Sequence, residues 1–173
     1  MPGTFNGTTL TISATPVDRA PIPDEGATNV AGIAIVGSDM YCVKTTGLKT
    51  TLLKTTDYTT AKATAVKKDL NWFALGLTKI GNYLYMLAED HKGYGGSTTI
   101  VKLDTKGNQL GTYNIKNICP NGALGITAAD GTNEKFIIMH YTGSNNAGTL
   151  TFSVVNWKEL LYFKTTAKIA EPQ

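Results

Sequence analysis

Arginine is nearly absent from this chain: Arg19 is the one arginine among 16 basic residues. Planar guanidinium forks are the preferred readers of phosphates and base edges, and here they are replaced by scattered lysines such as Lys44, Lys49, Lys54 and Lys62. The formal net charge is only +3. No basic patch forms, so nucleic acid is excluded as the expected partner. Long apolar runs are also missing, none approaching the ~18 residues of a membrane-spanning helix. Cysteine is scarce as well. Cys42 and Cys119 lie far apart and in no CxxC or metal-ligand spacing, which points to two reduced, buried thiols, with a single disulfide as the second reading.

Catalytic signatures are equally thin. There is no GxSxG elbow, no HExxH and no EF-hand loop, and no cofactor is called for. Gly93-Tyr94-Gly95-Gly96-Ser97 is glycine-rich but lacks the Lys-Ser/Thr ending of a phosphate loop and falls between strands. Met1-Pro2-Gly3-Thr4-Phe5 does not begin a charged-then-apolar leader. The abundance of Thr, Gly and Asn, with one sequon at Asn6-Gly7-Thr8, leans towards an extracellular or cell-surface setting.

What is present is a threefold echo. Ala31-Gly32-Ile33-Ala34, Leu75-Gly76-Leu77-Thr78 and Leu124-Gly125-Ile126-Thr127 place glycines 44 and 49 residues apart. Four-stranded propeller blades repeat at about 40 to 50 residues. Each echo opens a series of short strand-like runs. The first has Gly32 to Val36, a Gly37-Ser38-Asp39 turn, Met40 to Val43, a Thr45-Thr46-Gly47 turn, Thr51 to Leu53, and an outer strand over Thr59 to Val66, where a helix over Thr60 to Lys68 is the weaker reading. The second runs through Leu75 to Ile80, Tyr83 to Leu87, Thr98 to Leu103 and Gln109 to Ile115. The third comprises Gly125 to Ala128, Lys135 to Tyr141, Thr149 to Val155 and Leu160 to Thr165. Turn-forming residues separate the runs, as antiparallel hairpins require.

The pattern Gly76-Leu77-Thr78, Tyr83-Leu84-Tyr85 and Ile100-Val101-Lys102-Leu103-Asp104 with Gly107 resembles a blade of the NHL, YVTN or SMP-30-like β-propeller repeats. The resemblance spans most of residues 31 to 165. It implies an all-β fold of propeller-type four-stranded antiparallel blades, about three in this chain, with a two-sheet β-sandwich as the alternative. Residues 1–30 read as an N-terminal strand and Pro-rich linker, and residues 31–173 as the three-blade domain. Glycine in each opening strand fits the crowding of innermost strands around a central channel. Propellers typically close with four to eight blades. Three therefore call for a second copy, or the remainder of a longer chain, to complete the ring. The lone strand at Thr8 to Ile12 is expected to be the outer strand of a preceding blade or to complete the last one.

Function is read from loops. The connections from second to third strand and between blades share one face, and they hold Asp24 to Asn29, Asp69 to Phe73, Asp90 to Gly96, Asn117 to Asn121 and Tyr141 to Asn146. Opposite turns look minimal, so one functional surface is expected. Aromatic rings beside Asn, Asp and Gly suit a glycan or a protein ligand. Trp72, His91, Tyr94, Tyr141 and Asn145 are the candidate ligand-binding residues, with Trp72 equally readable as a plug between blades. These loops favour a non-catalytic recognition module. The alternative is a fragment or subunit of a propeller hydrolase, lactonase- or glycosidase-like, using Glu89, Asp90 and His91. His140 is expected to be a structural imidazole.

Overall fold

A computed structural model of the chain describes residues 3–5, 10–12, 29–56, 63–89, 98–129, 134–142, 149–156 and 161–166. Regular structure among them is all strand. Strands β1 (Gly3–Phe5) and β2 (Leu10–Ile12) form a small hairpin. Sheet I follows with β3 (Asn29–Val36), β4 (Asp39–Thr46), β5 (Lys49–Thr55) and β6 (Thr64–Leu70). Sheet II contains β7 (Phe73–Ile80), β8 (Tyr83–Glu89), β9 (Thr98–Leu103) and β10 (Gln109–Asn114). Sheet III contains β11 (Ala123–Ala128), β12 (Lys135–Thr142), β13 (Thr149–Asn156) and β14 (Leu161–Thr166). Each of sheets I, II and III is a four-stranded antiparallel meander in chain order.

The alternation of β8 places its side chains on opposite faces, yet Leu84 through Ala88 are all fully buried. Both faces of sheet II are therefore covered. Leu84, Met86, Ala88, Val101 and Leu103 join Tyr41, Val43 and Leu52 of sheet I in one core. Tyr85, Leu87 and Ile100 join Phe136 and Ile138 of sheet III in another. A two-sheet sandwich has one such core. Two cores sharing a middle sheet make a stack of three blades, and the first strands of successive sheets meet, β3 against β7 and β7 against β11.

The repeated glycine motif coincides with a break in the ladder. Pairing shifts by one residue between Ala31 and Ile33, between Ala74 and Gly76, and between Ala123 and Gly125. A bulge at the same place in each first strand increases its local twist, as strands curving around a common axis need. At Gly32, with φ +68°, a Cβ would lie 2.0 Å from the Leu77 nitrogen. Crowding is milder at Gly76, 3.3 Å from Ile126 Cγ2, and ordinary at Gly125.

Several boundaries differ from those expected. The segment Leu10–Ile12 is paired with Gly3–Phe5 rather than lone. The outer strand of sheet I runs over Thr64–Leu70 rather than Thr59 to Val66, ending four residues further on, and residues 57–62 lie outside the described set. In consequence the expected Asp69 to Phe73 loop shrinks to Asn71-Trp72, because both flanking strands claim its ends. Connections at 56–63 and 129–134 also make the opposite end of the sheets as well furnished as the expected loop-rich one. Connection length gives no asymmetry.

Candidate functional site

Trp72 is the candidate whose side chain is described, and it serves the joint between sheets I and II. Its ring is partly buried against the first core, and Nε1–H donates to Gln109 Oε1 at 3.1 Å. The backbone around it is pinned by a buried threonine. Thr50 Oγ1 donates to the Trp72 carbonyl at 2.7 Å and accepts from Ala74 N–H at 3.2 Å, with Thr45 Oγ1 2.9 Å away. Buried backbone groups at a two-residue link need such partners, and a hydroxyl supplies both donor and acceptor.

A second polar cluster ties sheet II to sheet III. The Glu134 carboxylate accepts from the Tyr85 hydroxyl and from Lys102 Nζ. Lys102 Nζ also lies 4.4 Å from the centre of the Tyr83 ring, a cation–π distance. Burial, then the hydrogen bond and charge of Glu134, push the Tyr85 hydroxyl well above the ordinary tyrosine range. Tyr85 and Lys102 are cross-strand partners, as are Tyr41 and Lys54 in sheet I. There Lys54 Nζ donates to Asp39 Oδ2 at 2.8 Å and the Tyr41 hydroxyl donates to the same atom at 3.4 Å. Two sheets thus carry one device, a Tyr–Lys pair closed by a carboxylate. The sequence held a signal for it, since Tyr41 and Tyr85 are separated by the same 44 residues as Gly32 and Gly76.

His140 is fully buried, with Nε2 2.7 Å from Ser153 Oγ. Ser153 is fully buried too. Both cysteines are free and buried. Burial raises the thiol of Cys42, and pushes that of Cys119 up to about 12. Neither is a reactive thiolate at neutral pH.

A cavity of about 270 Å³ opens on the face of sheet I turned away from sheet II, lined by Lys44, Thr46, Thr51, Leu53, Ala65, Lys68 and Asp69. Two ammonium groups, a carboxylate and hydroxyls could hold a polar group, and Asp69 has a left-handed φ of 57°. Beside it Ile33 is 64% and Ile35 48% exposed. Among the described residues no three His, Cys, Asp or Glu side chains gather as metal ligands would. No helix there is long and apolar enough to cross a membrane.

His91, Tyr94 and Asn145 lie outside the described residues, as do Asp90 and the Gly93–Ser97 run. Tyr141 is placed by its backbone, paired with Leu150 near the end of β12, while its side chain is outside the described set. Glu89 ends β8, opposite Phe73 and Thr98. In the link between sheets II and III, Ile118 and Cys119 donate their N–H groups to Ile115 O, and buried Ile115 and Cys119 anchor the turn. Compared with known proteins, the chain matches no protein-family model and no curated protein.

Proposed function

We propose that the protein is a non-catalytic recognition module of the NHL, YVTN or SMP-30-like propeller type, holding a glycan or a protein ligand at one end of its sheets. The common direction of β7 and β11 carries this reading. Gly76 lies against Ile126, and two residues on, Thr78 Oγ1 accepts from Ala128 N–H at 3.1 Å, so the two strands run the same way. Connections 90–97 and 143–148, which join the second and third strands of their sheets, therefore start from the same end of neighbouring sheets. His91 and Tyr94 belong to the first of these, Asn145 to the second, and Tyr141 to its root. Aromatic faces and amides from adjacent blades are what a hydroxyl-rich or peptide ligand requires.

The test is a glycan array and a peptide array probed with the full chain. Tyr94→Ala and Tyr141→Ala are expected to weaken the best ligand at least tenfold, about 1.4 kcal/mol each, with unfolding unchanged. Trp72→Ala serves as the contrast, acting through the joint. Binding that survives both tyrosine substitutions would defeat the reading, as would arrays without a ligand.

A further inference from the structure

The cavity on sheet I is built by three strands and one irregularity. Lys44 and Thr46 lie two apart on β4, and Thr51 and Leu53 two apart on β5, so strand alternation puts each pair on one face. Lys44 pairs with Thr51, and Leu53 with Ala65 of β6. Lys68 and Asp69 are neighbours in the chain, and a regular strand would send them to opposite faces. Both line the cavity because β6 bulges there: Thr50 pairs with Leu70 and Leu52 with Lys67, so β6 advances three residues where β5 advances two. Asp69, inside the bulge, has a φ of 57°, the one positive φ outside glycine among the described residues. Bulges re-aim side chains beside functional sites, and this one brings an ammonium and a carboxylate to one hollow.

The fold does not demand charge at these places. The 44-residue step from Gly32 to Gly76 carries Lys44 onto Ala88, and pairing carries Thr51 onto Thr99 and Leu53 onto Val101. Ala88 and Val101 are ordinary members of an apolar core. Lys44 is nevertheless only 5% exposed and Leu53 2%, whereas Ala65, Lys68 and Asp69 are exposed. The hollow thus has a buried floor and an open rim. A buried ammonium is costly unless polar groups gather around it.

We propose that this cavity binds one sugar ring carrying a single negative charge, a hexuronate. Each wall selects part of that description. Ammonium groups only donate and a carboxylate only accepts, so Lys44 and Lys68 suit an anionic oxygen and Asp69 suits a hydroxyl. Two cations against one carboxylate favour a monoanion. A phosphate monoester, with roughly two charges, would meet Asp69 as a like charge. A zwitterionic amino acid brings no net charge, and Asp69 already lies 3.8 Å from Lys49. The Thr46 and Thr51 hydroxyls both donate and accept, while Leu53 and Ala65 offer apolar surface to the C–H groups of the ring. At about 270 Å³ the space falls just below the ~300 Å³ at which pockets for larger ligands begin, which limits it to a single ring. This site goes beyond the loop reading, since its lining shares no residue with connections 90–97 and 143–148.

Isothermal titration of the full chain with glucuronate is expected to saturate with a Kd of about 1 mM or lower, and glucose and serine to bind at least tenfold more weakly. Lys68→Met and Ala65→Trp, both at exposed positions, should each weaken glucuronate at least tenfold with the urea midpoint unchanged, the first by removing charge and the second by filling the space. Asp69→Asn should raise the affinity for glucose 6-phosphate by removing the like charge. Equal binding of methyl glucuronide assigns the ring to the end of an acidic glycan, and its loss assigns it to a free sugar acid. Tyr94→Ala and Tyr141→Ala are expected to leave glucuronate binding unchanged, so the two sites fail separately. No saturation at about 10 mM glucuronate, glucose or serine binding as tightly, or binding indifferent to both Lys68→Met and Ala65→Trp would each overturn the proposal.

Discussion

Gly32 and Leu77 are in backbone contact: a Cβ on the glycine would lie 2.0 Å from the Leu77 nitrogen and 2.6 Å from its Cβ. Neither obstacle is a flexible tip. The contact fixes how closely the first strands of sheets I and II approach, so it sets the geometry of the first joint. Gly32→Ala is expected to cost more than about 3 kcal/mol, combining a left-handed φ with displacement of the joint. Gly47→Ala, at φ +58° with open space around it, is the control and should cost about 1 kcal/mol. Urea unfolding of the two variants checks the difference.

Gly107 makes a comparable approach from the β9–β10 turn, where a Cβ would come within 2.4 Å of Lys67 Cβ in sheet I. The turn is preorganised by Asp104, whose carboxylate accepts from Lys106 N–H, Asn108 N–H and the Asn108 side-chain amide. Desolvation opposes ionisation of Asp104, but these donors win and hold its carboxyl below the usual range. A depressed carboxyl stabilises the fold above its unfolded pKa and loses that contribution as pH falls through the folded value. Asp104→Asn should therefore flatten the acid limb of stability below about pH 4, measured by denaturant melts at stepped pH.

The Thr50 hydroxyl bridges the Trp72 carbonyl and Ala74 N–H inside the first joint. Thr50→Val keeps the shape but leaves both backbone groups without this partner, an expected loss of about 1 to 3 kcal/mol. Thr50→Ser, which keeps the hydroxyl, should recover most of it. Thermal melts of the pair distinguish hydrogen bonding from packing.

Glu134 joins sheet III to Tyr85 and Lys102 of sheet II while largely buried, with side-chain exposures of 15% for Glu134 and 23% for Lys102. Removing one partner leaves the other charge poorly solvated. Lys102→Met and Glu134→Gln are each expected to destabilise by about 2 kcal/mol, and the double variant by less than their sum. A double-mutant cycle in urea supplies the coupling.

The alkaline limb follows from burial of Cys119 and Tyr85. Both hydroxyl and thiol have folded pKa values raised above the unfolded ones, Cys119 to about 12. Above pH ~9 the unfolded chain releases the thiol proton first and binds fewer protons than the native state, so stability falls as pH rises. The contribution is complete below pH ~9 and is lost on the way to 12. Cys119→Ala should reduce that slope between pH 9 and 11, and a thiol reagent at pH 8 should label the native protein far more slowly than the urea-unfolded chain.

Much of the architecture was legible in the sequence because it is periodic. The spacing of Gly32, Gly76 and Gly125 marked the three first strands, and turn residues such as Gly37-Ser38 and Gly81-Asn82 marked the hairpins, since both signals are local. The outer strand of sheet I was misplaced for the complementary reason. Of Thr64–Leu70 only Leu70 is buried and Val66 half-buried, so burial leaves little imprint on its sequence. The candidate site was less legible. Trp72 reads equally well as surface or plug, and its partial burial against the first core and its exposed bond to Gln109 are set by residues distant in the chain. Glu134 was missed because its partners, Tyr85 and Lys102, are 49 and 32 residues away in the chain.

Sequence alone determined the number of sheets, their strand order and the tight turns, because hydrophobic alternation and turn chemistry act over a few residues. Tertiary structure decided which faces meet. That choice depends on the bulges and the glycine contacts that set the angle between successive first strands, and on polar pairings such as Thr50 with Ala74, which connect residues that no local pattern relates. It also left Ile33 in water while burying its equivalent, Leu77, a difference that the two similar motifs do not reveal.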